Sequence, residues 1–404
     1  MDVEKCLRGM TLAEKARLCV GMNFWMTQHY PKWDVPSLFL SDGPHGLRKQ
    51  DTNNSDHLGI NESYPSVCYP TACASACTWN RELLDELGAM LGREARQSGV
   101  DMLLGPGVNI KRSPLCGRNF EYFSEDPYLA GQLAAAFIQG VQRTSVAACV
   151  KHFAANSQEN RRKAVNSILE ERTLREIYLP AFEQAVQAGV KAVMTSYNKV
   201  NGEYPAQNRH LSKEILRGEW GFQGVLVTDW GAMDRVVPSI QAGLDLQMPG
   251  DDGSSAAKIE AAVKCGELSQ EDLDASVERI LRLIAWQKEQ AKKQPVETVT
   301  AQAGHALAAK IAKESIVLLK NQGNILPLDP SDSIAVIGEM AKTPRYQGAG
   351  SSHVNPFSVV CPLDEMKKVC PHLAYAKGYT GETSNEQEWQ QAIAQLTAAK
   401  EEME

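Results

Sequence analysis

The segment Gly224-Val-Leu-Val-Thr-Asp-Trp230 predicts a buried strand with an acid at its carboxyl end. A short apolar, β-branched run of this kind is typical of a parallel strand that is covered on both faces. The run ends at Asp229, and α/β barrels place their chemistry at the carboxyl ends of their strands. Asp is also a favoured N-cap, so Asp229 has an equally simple alternative as the cap of a following helix.

Other apolar runs of the chain also end in polar residues. The predicted strands are 37–40, 101–104, 146–150, 191–194, 224–227 and 242–248. Helical patterns lie between them, for example over 171–187 and 211–216, and Thr11 opens a capping box. Alternating strands and helices predict a parallel sheet with right-handed crossovers. The fold class is therefore α/β, and we expect a (β/α)8 TIM-like barrel. An open doubly wound sheet is less favoured, because the chain contains no glycine-rich nucleotide-binding motif.

Composition excludes several classes of function. The 404 residues carry a formal net charge of -7 without a basic block, so no nucleic-acid partner is expected. No apolar run is long enough to span a membrane, and the charged start differs from a signal peptide. The ten cysteines are scattered without zinc-ligand spacing, which predicts reduced thiols, no metal and no other cofactor. A cytoplasmic location is expected.

The chain predicts two domains. A Lys/Gln/Glu-rich stretch over 287–300 indicates a helix end and a linker, followed by a helix over 301–321 and a strand over 334–338. We expect a barrel with the catalytic residues over 1–290, a linker and the start of a connecting helix over 291–310, and an α/β sandwich over 311–404. The sandwich looks incomplete and its last stretch, 385–404, has a helical pattern, so the chain is expected to be a fragment.

The residues at the predicted strand ends and in the adjoining loops favour a sugar-like ligand. They combine carboxylates, cations and hydroxyl groups: Asp42, Arg118, Lys151, His152, Arg162, Tyr197 and Asp229. Such groups bind vicinal hydroxyls through charge-assisted hydrogen bonds, and Trp230 adds an aromatic surface.

Each of these residues also has a structural alternative. Asp42 suits a turn, Lys151 and His152 suit the start of a surface helix, and Tyr197 suits core packing. Arg118 and Arg162 suit structural ion pairs at the bases of loops.

Five motifs together resemble glycoside hydrolase family 3, in that family's order and spacing. They are Ser41-Asp-Gly-Pro-His-Gly-Leu-Arg48, Cys116-Gly-Arg-Asn-Phe-Glu-Tyr-Phe-Ser-Glu-Asp-Pro127, Lys151-His-Phe-Ala-Ala-Asn-Ser-Gln-Glu-Asn-Arg-Arg162, Met194-Thr-Ser-Tyr-Asn198 and Val227-Thr-Asp-Trp-Gly231. The resemblance covers about Met10 to at least Val360 and implies a barrel followed by an α/β sandwich.

The resemblance also implies roles for individual residues. Asp229 would be the nucleophile that forms a covalent glycosyl-enzyme. Tyr197 would sit beside Asp229 and help to orient it. The hydroxyls of the sugar would be bound by Asp42, Arg118, Lys151, His152 and Arg162. Either Ser351 or Ser352 would reach the site from the second domain, and the sequence does not choose between them.

One departure from the family concerns the second carboxyl group. Retaining glycosidases use two carboxyl groups ~5–5.5 Å apart. In the β-glucosidases of the family the acid/base glutamate lies in the second domain, in a Glu-Gly-aromatic-Asp-Arg-like setting that this chain does not contain. The family's N-acetylglucosaminidase branch uses a histidine instead, but no histidine occurs over 153–209. We therefore expect the acid/base to lie beyond residue 404.

The resulting prediction is a retaining exo-β-glycosidase that acts on a small oligosaccharide or aryl β-glucoside, most simply as a β-glucosidase. A β-xylosidase of the same family is one alternative. A sugar-binding fragment without catalysis, or half of a split enzyme, is another. The sequence leaves the oligomeric state open.

Overall fold

The computed structural model describes residues 1–51 and 62–379, which fall into two compact units. The first unit contains Met1–Ile316 and the later segment Gln347–Asn355. The second contains Val317–Tyr346 and the chain from Pro356 onward. The first unit therefore extends further along the chain than the 1–290 expected for the barrel, and it takes in a segment from within the predicted sandwich.

A parallel sheet forms the centre of the first unit. The strands of this unit are β1 (Leu40–Asp42), β2 (Met102–Leu104), β3 (Ala147–Phe153), β4 (Asn166–Ser167), β5 (Ala192–Thr195), β6 (Lys199–Val200) and β7 (Val225–Thr228). The central sheet has the order β1-β2-β3-β5-β7, and every neighbouring pair is parallel. β4 and β6 form a separate parallel pair.

The predicted α/β barrel architecture is confirmed, although its sheet is less regular than eight full strands. In the described residues, the sheet continues past β7 through single parallel bridges, from Val227 to Leu246 and from Gln247 to Val20. The strand predicted over 242–248 is thus reduced to these bridges. The backbone is tightly packed here, because a Cβ on Gly21 would lie only 2.7 Å from the nitrogen of Gly250.

Helices surround the sheet. They are α1 (Val3–Gly9), α2 (Leu12–Leu18), α3 (Ala72–Ala76), α4 (Arg81–Gln97), α5 (Pro127–Gln142), α6 (Glu171–Thr173), α7 (Pro180–Gln187), α8 (Val236–Gln241), α9 (Ser254–Cys265), α10 (Gln270–Lys293) and α11 (Ala301–Ser315). Two π-helical segments cover Leu174–Tyr178 and His210–Glu219. The capping box predicted at Thr11 is present, with Glu14 as its partner.

The helix predicted over 301–321 ends at Ser315. Beyond it, Ile316 has an extended backbone conformation, and the apolar run that follows is exposed, with Leu319 at 90%. β-branched residues lose side-chain freedom in a helix, which agrees with the end of α11 just before Ile316 and Val317.

The second unit contains a parallel pair of strands, β8 (Ile334–Ile337) and β9 (Leu373–Ala376), with helix α12 (Pro362–Val369) between them in the chain. β8 confirms the strand predicted over 334–338. The helical pattern predicted over 385–404 lies outside the described residues. Within the described residues, no helix has the length and apolar character needed to cross a membrane.

Candidate active site

The carboxyl ends of the barrel strands enclose a small cavity. Ten residues line it: Asp42, Arg118, Lys151, His152, Arg162, Met194, Tyr197, Asp229, Trp230 and Ser351. Every residue of this list except Met194 was predicted from the sequence as a site residue. Ser352 is the one predicted site residue that does not line the cavity.

The strands themselves bring these side chains together. Asp42 is the last residue of β1, Lys151 and His152 belong to β3, and Asp229 directly follows β7. All seven residues of β3 are buried, including the lysine and the histidine. The alternative of a surface helix at Lys151 is therefore wrong, because parallel pairing holds this segment in the sheet.

Asp229 has one oxygen fixed and one directed at the cavity. Its Oδ1 accepts a hydrogen bond from the backbone nitrogen of Trp230 at 2.7 Å. Its Oδ2 lies 3.5 Å from Nε2 of His152 and has no hydrogen-bond partner among the described residues. Asp229 does not cap a helix, since α8 begins at Val236 and its N-cap is Arg235. The arrangement suits a carboxylate that attacks a ligand.

A buried row of alternating charges runs across the cavity. Nζ of Lys151 lies 3.6 Å from Oδ1 of Asp42 and 3.7 Å from Oε2 of Glu121. Glu121 in turn binds Nε of Arg118, and Arg48 lies 4.0 Å from the other oxygen of Asp42. Opposite charges within this distance favour one another's ionised forms.

The pKa values of the two acids reflect the balance between burial and these cations. Burial raises the pKa of Asp42 above its usual value, although Lys151 and Arg48 oppose the rise. Burial also acts to raise the pKa of Glu121, but Arg118 and Lys151 outweigh it and the pKa lies below its usual value. Glu121 is thus held as a carboxylate between two cations.

His152 is neutral at physiological pH. Burial lowers its pKa well below the usual value, and the positive charges of Arg118, Lys151 and Arg162 lower it further. A neutral imidazole has one N–H donor and one acceptor nitrogen. It therefore offers a ligand a directional hydrogen bond rather than a charge.

Tyr197, Trp230 and Arg162 form the wall beside Asp229. The hydroxyl of Tyr197 donates to the carbonyl of Trp230 at 2.7 Å, and the Arg162 guanidinium lies 4.3 Å from the centre of the Tyr197 ring. Burial raises the pKa of Tyr197, so the hydroxyl keeps its proton. The indole of Trp230 donates to the carbonyl of Phe24 at 2.8 Å, which fixes its ring. Tyr197 is thus both packed in the core and part of the cavity.

Arg118 and Arg162 are both ion-pair residues and cavity residues, so each fits both interpretations of the sequence. Each makes a short-range ion pair, with Glu121 and Glu159 respectively, and each lines the cavity. A guanidinium has five N–H donors, so one carboxylate partner leaves donors for a ligand.

Ser351 lies in the cavity wall and Ser352 does not. Both belong to the short turn Gly350–Ser352, within the segment Gln347–Asn355 that packs as part of the first unit. The side chain of Gln347 binds both the nitrogen and the carbonyl of Val354, which holds this turn in shape. Ser352 is 1% exposed and its hydroxyl has no partner among the described residues.

Two buried charges of the site were missed by sequence reasoning. Arg48 and Glu121 are each 1% exposed and each neutralises a residue that lines the cavity. Both lie inside motifs that were recognised, at the end of 41–48 and within 116–127. The acid in Asn119-Phe-Glu-Tyr-Phe123 is flanked by aromatic residues, which is the signal that could have indicated its burial.

All ten cysteines are free thiols. Among the residues that the structure describes, no group of three or more His, Cys, Asp or Glu side chains is placed to hold a metal ion.

Comparison with known proteins agrees with the motifs. Residues 59–283 match the model of the glycosyl hydrolase family 3 N-terminal domain, and residues 316–403 match the model of its C-terminal domain. The chain is 50% identical over 383 residues to thermostable beta-glucosidase B of Acetivibrio thermocellus, covering 94% of this chain and 50% of that protein. It is 41% identical over 384 residues to an exo-alpha-(1->6)-L-arabinopyranosidase of Bifidobacterium breve, covering 93% and 50%.

A solved structure gives the same result for the fold. The GH3 beta-glucosidase of Bifidobacterium adolescentis superposes with a TM-score of 0.88 at 39% identity, covering 98% of this chain and 56% of that one. The chain spans about half the length of the curated relatives it matches. Because its N-terminal family match alone covers more than half of the residues, the chain belongs to glycoside hydrolase family 3.

Proposed function

We propose that the cavity is the sugar site of a retaining exo-β-glycosidase and that Asp229 is its nucleophile. One observation carries the proposal: Asp229 presents an unpartnered Oδ2 to a cavity whose other walls are hydroxyl-binding groups. A carboxylate at the end of a barrel strand, surrounded by donors, matches the first of the two carboxyl groups that retaining glycosidases need.

The charged row would bind the hydroxyls of one terminal sugar ring. Asp42 accepts hydrogen bonds, while Lys151, Arg118 and Arg162 donate them, and His152 offers its single N–H. Charge-assisted bonds of this kind are shorter and stronger than neutral ones. Their partners are already in place before a ligand arrives, so little reorganisation accompanies binding.

The reaction would proceed by two displacements. The carboxylate of Asp229 attacks the anomeric carbon, the bond from that carbon to the leaving oxygen breaks, and an acid gives this oxygen a proton. Water then attacks the same carbon, loses a proton to the resulting base, and frees the carboxylate. We propose that the acid/base glutamate lies beyond residue 404. In the described residues, Asp42 and Asp229 are the carboxylates of the cavity wall, and Asp42 is engaged by Lys151.

The proposed substrate is a terminal β-linked glucose in a small oligosaccharide or an aryl β-glucoside. The β-glucosidases among the relatives support this choice. An α-L-arabinopyranoside is a second candidate, because a relative of nearly equal coverage is named for that activity. A β-xyloside is a third, since xylose lacks only the C6 group of glucose. The rates of covalent labelling by reagents built on each of these three sugars distinguish the candidates.

The first prediction is that Asp229 becomes covalently labelled. A 2-deoxy-2-fluoro-β-glucoside with a dinitrophenolate leaving group needs no general acid for the first displacement, so it tests the nucleophile alone. We expect the intact mass to increase by one fluoroglucosyl group, and peptide mapping to place that group on Asp229. The corresponding fluoroxyloside and fluoroarabinopyranoside should label more slowly if glucose is the preferred sugar.

Two variants make this result specific. Asp229→Asn should not be labelled, whereas Asp234→Asn, which changes an exposed acid five residues further along, should be labelled like the unaltered chain. A folded chain that takes no label from any of the three sugars, or labelling that persists in Asp229→Asn, would overturn the assignment of the nucleophile.

A further inference from the structure

We propose that Tyr122 and Asn156 are positioning residues that hold His152 in the tautomer with its proton on Nε2. The tautomer is a property of the unliganded chain. Its kinetic consequence rests on the proposed function, because it concerns how His152 faces Asp229 and the sugar. Neither Tyr122 nor Asn156 lines the cavity, so both would act through the histidine.

Tyr122 contacts the far side of the His152 ring. Its hydroxyl lies 3.0 Å from Nδ1 of His152, and the two rings meet edge to face with an interplanar angle of 76°. Tyr122 is 0% exposed and His152 is 1% exposed, so water does not compete for this contact. The proton of the pair belongs either to the hydroxyl or to Nδ1, and the surrounding bonds decide which.

Asn156 and Glu159 fix the direction of that hydrogen bond. Nδ2 of Asn156 lies 3.1 Å from Oε1 of Glu159 and 3.0 Å from the hydroxyl of Tyr122. A carboxylate only accepts, so the amide must present its NH2 group to Glu159. The second proton of that group then goes to the Tyr122 oxygen. The tyrosine hydroxyl is left to donate its own proton to Nδ1 of His152.

The bonds from Tyr122 and Asn156 determine the tautomer of His152, whereas other contacts fix the position and the charge of its ring. Asn109 binds both the backbone nitrogen of His152, at 2.8 Å, and its carbonyl, at 2.9 Å. Burial and the neighbouring cations keep the ring neutral. A neutral ring that accepts at Nδ1 carries its proton on Nε2, which faces Oδ2 of Asp229 at 3.5 Å. The opposite tautomer would turn a lone pair toward this carboxylate and offer a ligand no donor.

The tautomer can be read directly by nitrogen NMR of the unliganded chain at pH 7. The chain has eight histidines, so the His152 signals are identified by their loss in His152→Gln. We expect a protonated Nε2 and an accepting Nδ1 in the unaltered chain. In Tyr122→Phe, the ratio of the two tautomers should shift about tenfold toward protonated Nδ1, as expected for loss of one neutral hydrogen bond.

Further variants test the direction of the hydrogen bonds that run from Asn156 through Tyr122 to His152. Asn156→Ala should shift the ratio in the same direction by a smaller factor, since Tyr122 keeps its hydroxyl but loses its orientation. Tyr30→Phe removes a comparable tyrosine bond, to the carbonyl of Glu14, away from the cavity, and should leave the His152 signals unchanged. Protonated Nδ1 in the unaltered chain, or an unchanged ratio in both Tyr122→Phe and Asn156→Ala, would overturn the proposal.

The rate of covalent labelling provides a second test. Labelling by the fluoroglucoside should slow about tenfold in Tyr122→Phe, with an unchanged melting temperature as evidence that the fold persists. An unaltered chain that shows protonated Nε2 but takes no label would count against the proposed function and support the tautomer assignment. Equal labelling rates despite a shifted tautomer would reject the role of Tyr122 in positioning.

Discussion

At the scale of single residues, the buried charges of the site are paired before any ligand arrives. Lys151 lies between two carboxylates, and Arg118 and Arg48 lie at the two ends of the row. Breaking a buried pair by removing one partner typically costs far more than the pair contributes to stability, because the other charge is left without compensation. Glu121 tests this, because it is 1% exposed and lies beside two cations, Arg118 and Lys151.

Glu121→Gln is therefore expected to destabilise the first unit by ~3–5 kcal/mol, measured by urea unfolding at pH 7. The folded pKa of Glu121 lies below its unfolded value, so its carboxylate stabilises the fold above the unfolded pKa and loses this effect as the pH falls. The variant should consequently lose less stability than the unaltered chain between neutral and acid pH.

Glu125→Gln is the matched control, because it removes an exposed acid four residues away. It should change the free energy of unfolding by less than ~0.5 kcal/mol. A Glu121→Gln variant that is as stable as this control would show that Arg118 and Lys151 do not depend on the shared carboxylate.

At the scale of elements, α11 packs against a pair formed by buried Tyr69 and by Glu94, a half-buried residue of α4. The hydroxyl of Tyr69 binds Glu94, and Gly304 of α11 approaches both. A Cβ on Gly304 would lie 2.7 Å from the Tyr69 hydroxyl and 3.1 Å from Oε1 of Glu94. Burial raises the pKa of Glu94 to about 7, although the Tyr69 bond acts in the opposite direction. The docking of α11 thus covers an acid that titrates near neutral pH.

The raised pKa of Glu94 predicts that the free energy of unfolding falls as the pH rises. Glu94 binds its proton more tightly in the folded chain, so ionising it opposes folding over the range from its unfolded pKa, near 4.5, to about 7. Glu94→Gln should remove this dependence, which amounts to ~3 kcal/mol across the range. Melting temperatures at pH 5 and pH 8 measure it.

Glu82→Gln on the same helix is exposed and should keep the pH dependence of the unaltered chain. If Glu94→Gln and Glu82→Gln lose the same stability between pH 5 and pH 8, Glu94 is not the source of the effect.

The elements predicted best from the sequence were the strands whose residues are almost all buried. The segments that became β2, β3, β5 and β7 were recognised because a strand buried on both faces must be apolar throughout. The run 242–248 has the same apolar character, but it forms only single bridges, and the sequence does not reveal how closely Gly21 and Gly250 approach there. The end of α11 was missed for a similar reason, since the apolar run after Ser315 fits either a helix or an extended segment.

At the scale of the whole molecule, the cavity depends on a segment that is distant in the chain. Gln347–Asn355 belongs to the first unit, although the residues on both sides of it belong to the second. Backbone and side-chain bonds between Asn355 and the residues Ser66 and Ser63 fasten it there, while the paired bonds between Gln347 and Val354 hold its shape. Val354 is fully buried and anchors the segment in the first unit, although Ala349 and His353 within it are exposed.

Gln347→Ala is expected to slow labelling by the fluoroglucoside about tenfold, because both bonds that shape the turn carrying Ser351 are lost. The free energy of unfolding should fall by only ~1–2 kcal/mol, since Val354 remains in place. Gln322→Ala, at an exposed position of the second unit, serves as the control for both measurements. Equal labelling in the two variants would show that this segment does not shape the site.

The site residues were predictable as a set, but not their connections. Nine of the ten residues lining the cavity were expected from the sequence, eight of them at strand ends or in adjoining loops and Ser351 through the family resemblance. The choice between Ser351 and Ser352 depends on one turn, and the roles of Arg48 and Glu121 depend on contacts across strands that sequence spacing does not show. Which nitrogen of His152 carries the proton depends on Asn156 and Glu159, which sit in the loop after β3.

The return of Gln347–Asn355 to the first unit has a consequence for recombination between related genes. A crossover at residue 316, where the second family match begins, would join most of the first unit from one parent to the segment Gln347–Asn355 from another. Val354, Gln347 and Asn355 would then meet Gly46, Cys68 and Ser66 of a chain with which they did not evolve. Chimeras that carry 347–355 along with the barrel preserve this match, so inheritance of the two segments should be linked in functional hybrids.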